Sequence, residues 1–201
     1  MAEGLDLDTL EMTLAAIKDF ADRELPEHLL IELDERDEFP AAAVKKMCSD
    51  ELGIQLLFIA EEHGGMGGNA FDVYRVCEEM AGIDLGVATS VLATALGSDP
   101  ITVGGTPDQK KRWLTRISVD GALFAYGATE PEAGSDLGAM KTKAVPIEVG
   151  AEITGYRISG AKQWISNGTI ADSTTILALA PGGPTWFVVD KGTEGFTSAK
   201  P

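Results

Sequence analysis

The chain has 201 residues, of which 44% are hydrophobic, so it can bury the core of one large domain or of two small ones. Its 16 Lys and Arg residues stand against 32 Asp and Glu residues, which gives a formal net charge of −16 at pH 7. This charge argues against nucleic acid and anionic membranes as partners, so an anionic ligand would have to bind through local backbone N–H groups and a few cations.

Few side chains are available for metal or covalent chemistry. Cys48 and Cys77 lie far apart and neither belongs to a Cys-x-x-Cys pair, and the only histidines are His28 and His63. This pattern excludes a zinc knuckle, a paired-cysteine redox motif and a His-rich metal site, and we predict no metal ion. Segment 1–4 has no apolar signal core, and no run reaches the ~20 apolar residues of a membrane span. We therefore expect a cytoplasmic protein that does not enter the membrane.

Helical periodicity dominates the first part of the chain. Apolar residues repeat at spacings of three and four over 6–25, where Asp8 and Glu11 resemble a capping box. A second helical stretch covers 27–38, and Pro40 stands at the first position of a third helix.

A glycine-rich loop at 64–68 precedes a second group of predicted helices. The periodic pattern returns over 71–81, and the run over 85–96 is apolar nearly all round, as in a helix buried inside a bundle. Thr106 then combines with a following proline and with a glutamine three residues on, which predicts another helix start.

Beyond residue 120 the pattern changes from helices to strands. Runs rich in β-branched and aromatic residues are separated by Gly, Pro and Asn, at 123–126, 153–158, 174–179 and 186–189. Helices followed by strands predict an α+β protein rather than a βαβ sheet. We predict two domains, residues 1–120 and 121–201.

Gly65, Gly67 and Ala70 spell a G-x-G-x-x-A dinucleotide-binding fingerprint before a helix. Residues 61–63 separate it from the preceding apolar segment, so two carboxylates would flank the anionic pyrophosphate. The segment after the helix is helical again, and the βαβ unit is missing. We therefore interpret this loop as a connection.

Two later stretches combine residues that suit ligand binding. Residues 126–136, Tyr-Gly-Ala-Thr-Glu-Pro-Glu-Ala-Gly-Ser-Asp, lead from a strand into a loop whose backbone N–H groups could approach a phosphate or carbonyl. In residues 160–168, Gly-Ala-Lys-Gln-Trp-Ile-Ser-Asn-Gly, strand alternation would place Trp164 and Ser166 on one face. The ring could then support a planar ligand while the hydroxyl bonds its edge.

These two stretches, in this order and at this spacing, resemble the acyl-CoA dehydrogenase family. The Thr-Glu-Pro-x-Ala-Gly-Ser-Asp and Lys-x-Trp-Ile-Ser/Thr-Asn-Gly cores are highly specific. Residues 61–67 resemble the family's Pro-Glu-Glu-x-Gly-Gly-x-Gly turn, with Ala60 in place of the proline, and 108–114 resemble its Gln-Lys-x-x-x-Leu helix. The similarity covers nearly the whole chain.

The resemblance implies an amino-terminal bundle of α-helices, then a β-barrel-like or orthogonal β-sheet domain, with FAD as cofactor. Thr129 would bond the pyrimidine side of the isoalloxazine, Trp164 would lie against the ring, and Ser166 would bond near N5. Gly134 and Ser135 would meet the FAD phosphates and the substrate's pantetheine arm. Further flavin-lining residues would be Tyr126, Ala128 and Ile165. Core packing of Trp164 and a turn-forming role of Gly134 are the alternatives.

The substrate that the resemblance implies is an acyl-CoA, held in part by Ser135. The predicted helix over 85–96 resembles the one that lines the family's fatty-acyl channel. Leu92 and Thr94 are therefore candidate channel residues, and they are equally candidate core residues. The connection 180–184 is shorter than in many relatives, which leaves open a contact with the CoA nucleotide from that loop.

The implied reaction is α,β-dehydrogenation of the thioester by a homo-oligomer that passes electrons to an electron-transfer flavoprotein. In this family the catalytic base comes from a carboxy-terminal four-helix domain. We expect residue 201 to lie still inside the β domain, so no base is assigned and this segment alone is expected to be inactive. The alternatives are an acyl-CoA oxidase or flavin monooxygenase on the same fold, and a non-catalytic flavin- or acyl-CoA-binding subunit that a partner completes.

Overall fold

The computed structural model describes residues 4–200, in which helices come first and strands follow. The helices are α1 (Leu7–Glu24), α2 (Glu27–Glu35), α3 (Ala41–Met47), α4 (Ala70–Ile83), α5 (Leu85–Gly104) and α6 (Pro107–Asp120). Short 3-10 helices cover Ile54–Phe58, Glu61–His63 and Leu137–Ala139. The strands are β1 (Phe124–Gly127), β2 (Lys143–Val149), β3 (Glu152–Ser159), β4 (Ser173–Ala180) and β5 (Gly183–Asp190). This order confirms the predicted α+β class. Within the described residues, no helix has the combination of length and apolar character that a membrane crossing needs.

Local capping signals set the starts of α4 and α6. At α6 the Thr106 hydroxyl accepts a hydrogen bond from the Gln109 N–H, the Gln109 side chain accepts one from the Thr106 N–H, and Pro107 occupies the first turn. This helix start is confirmed. At α4 the side chain of Asn69 and that of Asp72 form the same reciprocal arrangement.

The starts of α1 and α3 differ from the prediction by one or two residues. The N-cap of α1 is Asp6, whose carboxylate accepts a hydrogen bond from the Thr9 N–H at 2.9 Å. The predicted box at Asp8 and Glu11 is wrong, because the carboxylate two residues earlier already caps the helix. Pro40 is the N-cap of α3 rather than its first residue.

α5 joins the helical part to the sheet. Val91 belongs to a buried cluster with residues of α1, α3 and α4. Gly97 lets the helix approach β1, because a Cβ atom there would lie 2.9 Å from the Phe124 Cβ and 3.0 Å from the Ala125 carbonyl oxygen. The apolar sequence of α5 predicts a helix that is buried on all sides. This prediction is wrong, because Leu85 and other side chains on the face away from the core are exposed.

The strands form one mixed sheet in which β4 is central. β4 pairs in parallel with β1 and antiparallel with β5, over the same residues, so these two strands flank it. Farther along, Leu179 of β4 meets Lys143 of β2, which attaches the antiparallel β2–β3 hairpin to the sheet. The turn between β4 and β5 falls at Pro181 and Gly182, within the predicted connection.

The sequence pattern does not predict β2, because Pro146 interrupts it. Pro146 pairs with Tyr156 of β3, and the only residue of β2 that pairs with β4 within the described chain is Lys143. Proline has no backbone N–H to donate, and Pro146 lies where no hydrogen bond to β4 is required. A strand tolerates proline at such a position.

The glycines at 64–68 serve packing. The segment before them is a 3-10 helix rather than a strand. A Cβ atom on Gly65 would lie 1.9 Å from the Ile59 carbonyl oxygen, and one on Gly68 would lie 2.5 Å from the Leu57 side chain. This turn thus lacks the strand that a dinucleotide fingerprint requires, and the interpretation as a connection is confirmed.

Candidate functional site

Both motif stretches are loops in the structure. Residues 128–136, called here the turn loop, follow β1, and residues 160–171, called here the aromatic loop, form most of the connection from β3 to β4. The predicted strand through Trp164 is wrong. Trp164 and Asn167 have φ angles of 60° and 63°, and this left-handed conformation cannot continue an extended strand.

The aromatic loop lies directly against the turn loop. The Gln163 N–H donates a hydrogen bond to the Thr129 carbonyl at 2.9 Å. The Lys162 ammonium donates another to the Ala128 carbonyl at 3.0 Å, across 34 positions of the chain. The structure therefore brings the two motifs together in one site.

A buried ion pair joins the same two loops. The Lys162 Nζ lies 2.7 Å from the Glu130 Oε1, and the two side chains are only 10% and 2% exposed. The Glu130 carboxylate also accepts hydrogen bonds from the backbone N–H groups of Lys141 and Thr142. Burial raises the pKa of Glu130, but these donors outweigh burial and lower that pKa to about 2. Glu130 is therefore a charged structural anchor.

The turn loop presents small residues to solvent. Glu130 and Ala133 exchange two backbone hydrogen bonds across a tight turn. Gly134 and Ser135 follow this turn and are exposed, and a Cβ atom on Gly134 would meet no atom within 4 Å. The Asp136 carboxylate closes the loop by accepting a hydrogen bond from the Gly138 N–H at 2.9 Å. A bulky group can thus approach the backbone here.

The aromatic loop exposes its indole. Trp164 is 70% exposed although its neighbours are tightly hydrogen-bonded. Ser166 is also exposed, whereas Ile165 and Thr129 are half-buried. The alternative in which Trp164 packs into the core is therefore wrong.

Tyr126 and Ala128 lie at the base of the site. Ala128 is buried, and the half-buried Tyr126 ring contacts the Trp186 ring of β5 with centroids 4.6 Å apart. Burial, and secondarily the negative charge of Asp99 on α5, raise the pKa of Tyr126. Tyr126 is therefore a neutral phenol at physiological pH.

The two candidate channel residues on α5 lie on different faces of the helix. Leu92 is exposed, whereas Thr94 is 1% exposed and its hydroxyl accepts a hydrogen bond from the Phe124 N–H of β1. The structure does not bring them together. Only Leu92 can meet a ligand without rearrangement of the core.

The residues that hold the loops together are not evident from the sequence. Lys162 and Asn167 flank the exposed Trp164 within a short motif, and polar side chains in such a segment need partners. The need for hydrogen-bond partners is the one sequence signal that points to Lys162 and Asn167. It does not identify the partner residues.

This arrangement fits a planar heteroaromatic ligand with a polar edge. An exposed indole, the hydroxyl side chains of Thr129 and Ser166, and the open backbone at Gly134 lie on two adjoining loops. An indole face left in water is unfavourable, and a stacked ring would remove it from water.

Comparison with protein families decides the relationship. The family model described as the amino-terminal domain of acyl-CoA dehydrogenase matches residues 8–119, and that of the middle domain matches residues 125–201. The chain belongs to the acyl-CoA dehydrogenase family. The resemblance of the motifs is thereby confirmed.

Known acyl-CoA dehydrogenases resemble the chain in sequence and structure. The short-chain specific acyl-CoA dehydrogenase of Clostridium acetobutylicum is 32% identical over 197 residues, which are 94% of this chain and 50% of that protein. Butyryl-CoA dehydrogenase of Megasphaera elsdenii superposes with a TM-score of 0.85 at 30% identity, over 98% of this chain and 52% of that one. Glutaryl-CoA dehydrogenase of Mycobacterium smegmatis in complex with FADH2 gives a TM-score of 0.81 at 29% identity, over 96% and 48%. The chain thus spans about half the length of the curated relatives it matches.

Proposed function

We propose that this acyl-CoA dehydrogenase chain supplies the flavin-holding part of an FAD-dependent enzyme that introduces a double bond between Cα and Cβ of an acyl-CoA thioester. The observation that carries the proposal is the contact of the turn loop with the aromatic loop, through Gln163 and Thr129 and through Lys162 and Glu130. Two motifs that are far apart in the chain thus surround one exposed aromatic surface. A relative solved with FADH2 supports the identity of the ligand.

In this proposal the Trp164 indole lies against the isoalloxazine, and Thr129 and Ser166 bond its polar edges. Tyr126, Ala128 and Ile165 line the ring. Gly134 and Ser135 receive the phosphates and the pantetheine arm, because a neighbouring group meets no obstruction there. Bound FAD supplies the hydride acceptor of the reaction.

The residues assigned to this site bind and orient, and Glu130 does not serve as the base. Glu130 is the only carboxylate of the site that is fully buried, and its pKa of about 2 makes it a very weak proton acceptor. Leu92, on the exposed face of α5, is the proposed contact with the acyl chain. An electron-transfer flavoprotein is the proposed electron acceptor, and a homo-oligomer is the proposed assembly.

FAD binding tests the site directly. Trp164→Leu is expected to weaken FAD binding by about twofold to twelvefold, because aromatic stacking contributes about 0.5–1.5 kcal/mol beyond area burial. Quenching of FAD fluorescence on titration with the chain measures this. Val149→Ala is the matched control, because Val149 is 68% exposed but lies on the β2–β3 hairpin. If Trp164→Leu and the wild type bound FAD with equal affinity, the assignment of Trp164 to the flavin site would be wrong.

Activity is tested on the natural protein that carries this chain, with its length established by intact mass. We expect a yellow protein whose visible absorption is bleached by butyryl-CoA without oxygen. Turnover with an artificial electron acceptor but not with oxygen supports the dehydrogenase, and turnover with oxygen identifies an oxidase or monooxygenase instead. A colourless protein that takes up FAD only with a partner would identify the non-catalytic subunit.

A further inference from the structure

The aromatic loop holds an unfavourable backbone conformation. Trp164 and Asn167 both have left-handed φ angles, a conformation that is unfavourable for tryptophan and better tolerated by asparagine. Such a conformation persists only when surrounding interactions enforce it. The interactions on the two sides of Trp164 therefore decide whether its indole stays where a ring could stack on it.

On the amino-terminal side, the loop is fixed to the turn loop. Lys162 bonds the Glu130 carboxylate and the Ala128 carbonyl, and the Gln163 N–H bonds the Thr129 carbonyl. These bonds end immediately before Trp164, so they leave the position of the following residues undetermined.

On the carboxy-terminal side, the side chain of Asn167 makes the cross-links nearest to Trp164. Its Oδ1 accepts a hydrogen bond from the Ser90 hydroxyl at 2.6 Å, and its Nδ2 donates to the Ser90 carbonyl at 2.8 Å and to the Phe124 carbonyl at 3.1 Å. Ser90 lies on α5 and Phe124 on β1, so one amide joins the loop to a helix and a strand. The backbone carbonyl of Asn167 also accepts hydrogen bonds from the N–H groups of Ile170 and Ala171. Farther along, the Lys191 ammonium donates a hydrogen bond to the Thr169 carbonyl at 3.3 Å, and Asp172, just before β4, bonds Leu123.

We propose that Asn167 is a positioning residue, whose side chain ties the aromatic loop to α5 and β1 and thereby fixes Trp164 and Ser166 for the flavin. The inference rests on the proposed function. It assigns to α5 a second role, because the helix that carries Leu92 on its exposed face also holds the flavin loop through the buried Ser90.

Asn167→Gly removes the side chain but still permits the left-handed backbone conformation, because glycine adopts that region without strain. The variant therefore tests the hydrogen bonds of the side chain alone. Asp37→Gly is the matched control, since Asp37 is also a left-handed residue, with φ of 52°, but lies between α2 and α3. Ser90→Ala removes a single hydroxyl and serves as a milder second variant. Amide hydrogen exchange of the flavin-free chain, FAD affinity and the visible absorption of bound FAD are measured for each variant.

We expect Asn167→Gly to accelerate exchange in residues 160–171 by about tenfold or more, with core strands unchanged, because the loop loses the three hydrogen bonds of the Asn167 side chain. FAD affinity should fall by a similar factor and the visible band should shift, whereas Asp37→Gly should match wild type. Uniform acceleration over the whole chain would indicate a merely structural role and overturn the proposal, as would unchanged FAD affinity despite a loosened loop. If the wild-type chain binds no FAD, the proposed function fails, and unchanged exchange in the loop would separately refute the tie made by Asn167.

Discussion

Replacement of Lys162 by Met tests the ion pair that joins the two loops. It removes the ammonium but keeps most of the aliphatic stem, so the Glu130 carboxylate stays buried and keeps its backbone donors at Lys141 and Thr142. The pKa of about 2 for Glu130, against an ordinary 4.5, corresponds to a net of about 3 kcal/mol in favour of the charged carboxylate, after the opposing effect of burial. Loss of one partner of a buried pair costs about 3–5 kcal/mol. Because two donors remain, we expect a loss of about 2–3 kcal/mol at pH 7.

Urea unfolding monitored by circular dichroism measures this loss. Lys46→Met is the matched control, because Lys46 pairs with Glu24 at 2.6 Å and their side chains are 46% and 27% exposed, against 10% and 2% for Lys162 and Glu130. Its effect should be much smaller. In a double-mutant cycle, the variant with both Lys162→Met and Glu130→Gln should lose less unfolding free energy than the sum of the two single variants, by at least about 1 kcal/mol. Strict additivity, or equal effects of Lys162→Met and Lys46→Met, would refute the anchor.

The dependence on pH has a definite sign. Because the pKa of Glu130 is lowered in the folded chain, its stabilising contribution is complete above pH 4.5 and is lost as the pH falls towards 2. The difference in unfolding free energy between wild type and Glu130→Gln should therefore be constant near neutral pH and shrink below pH 4.5. A difference that does not change across this range would show that the carboxylate is not held in its charged form.

Two further substitutions test the packing and capping that hold the site in place. Gly97→Ala should destabilise the chain by about 1–3 kcal/mol in urea unfolding, because the added methyl would lie 2.9 Å from Phe124. The control is Gly82→Ala in α4, where the added methyl meets no atom within 4 Å, so this change should stabilise the chain by about 0.5–1 kcal/mol. Equal effects of the two would contradict the close approach of α5 to β1. Thr106→Ala should cost about 1 kcal/mol by removing the N-cap of α6, and Asp108→Ala, on the same turn, should cost less.

The parts of the fold that the sequence predicts are those specified by neighbouring residues. The start of α6 depends on Thr106, Pro107 and Gln109, which lie within one turn, and the β4–β5 connection depends on Pro181 and Gly182. β2 escapes prediction because strand propensity disfavours proline regardless of its position, and only the sheet topology reveals that Pro146 sits where no donor is required.

The candidate site divides in the same way. The residue types that suit a flavin are readable from the motifs, but the conformation of Trp164 is not, because β-favouring residues around it predict a strand. Its left-handed backbone is enforced by bonds from Lys162 and Asn167 to partners 32 and 77 positions away. No local pattern encodes such pairings.

The same pairings bear on affinity. A flexible loop that orders on binding loses conformational entropy, at about 1–2 kcal/mol per backbone residue. Here both sides of Trp164 are already cross-linked, so the cost of ordering is met during folding and is offset in part by the hydrogen bonds that Lys162 and Asn167 make. Mutations in the cross-links should therefore weaken FAD binding even though the altered side chains do not touch the ring. A loop whose order does not depend on Asn167 would instead show the same FAD affinity with and without this side chain.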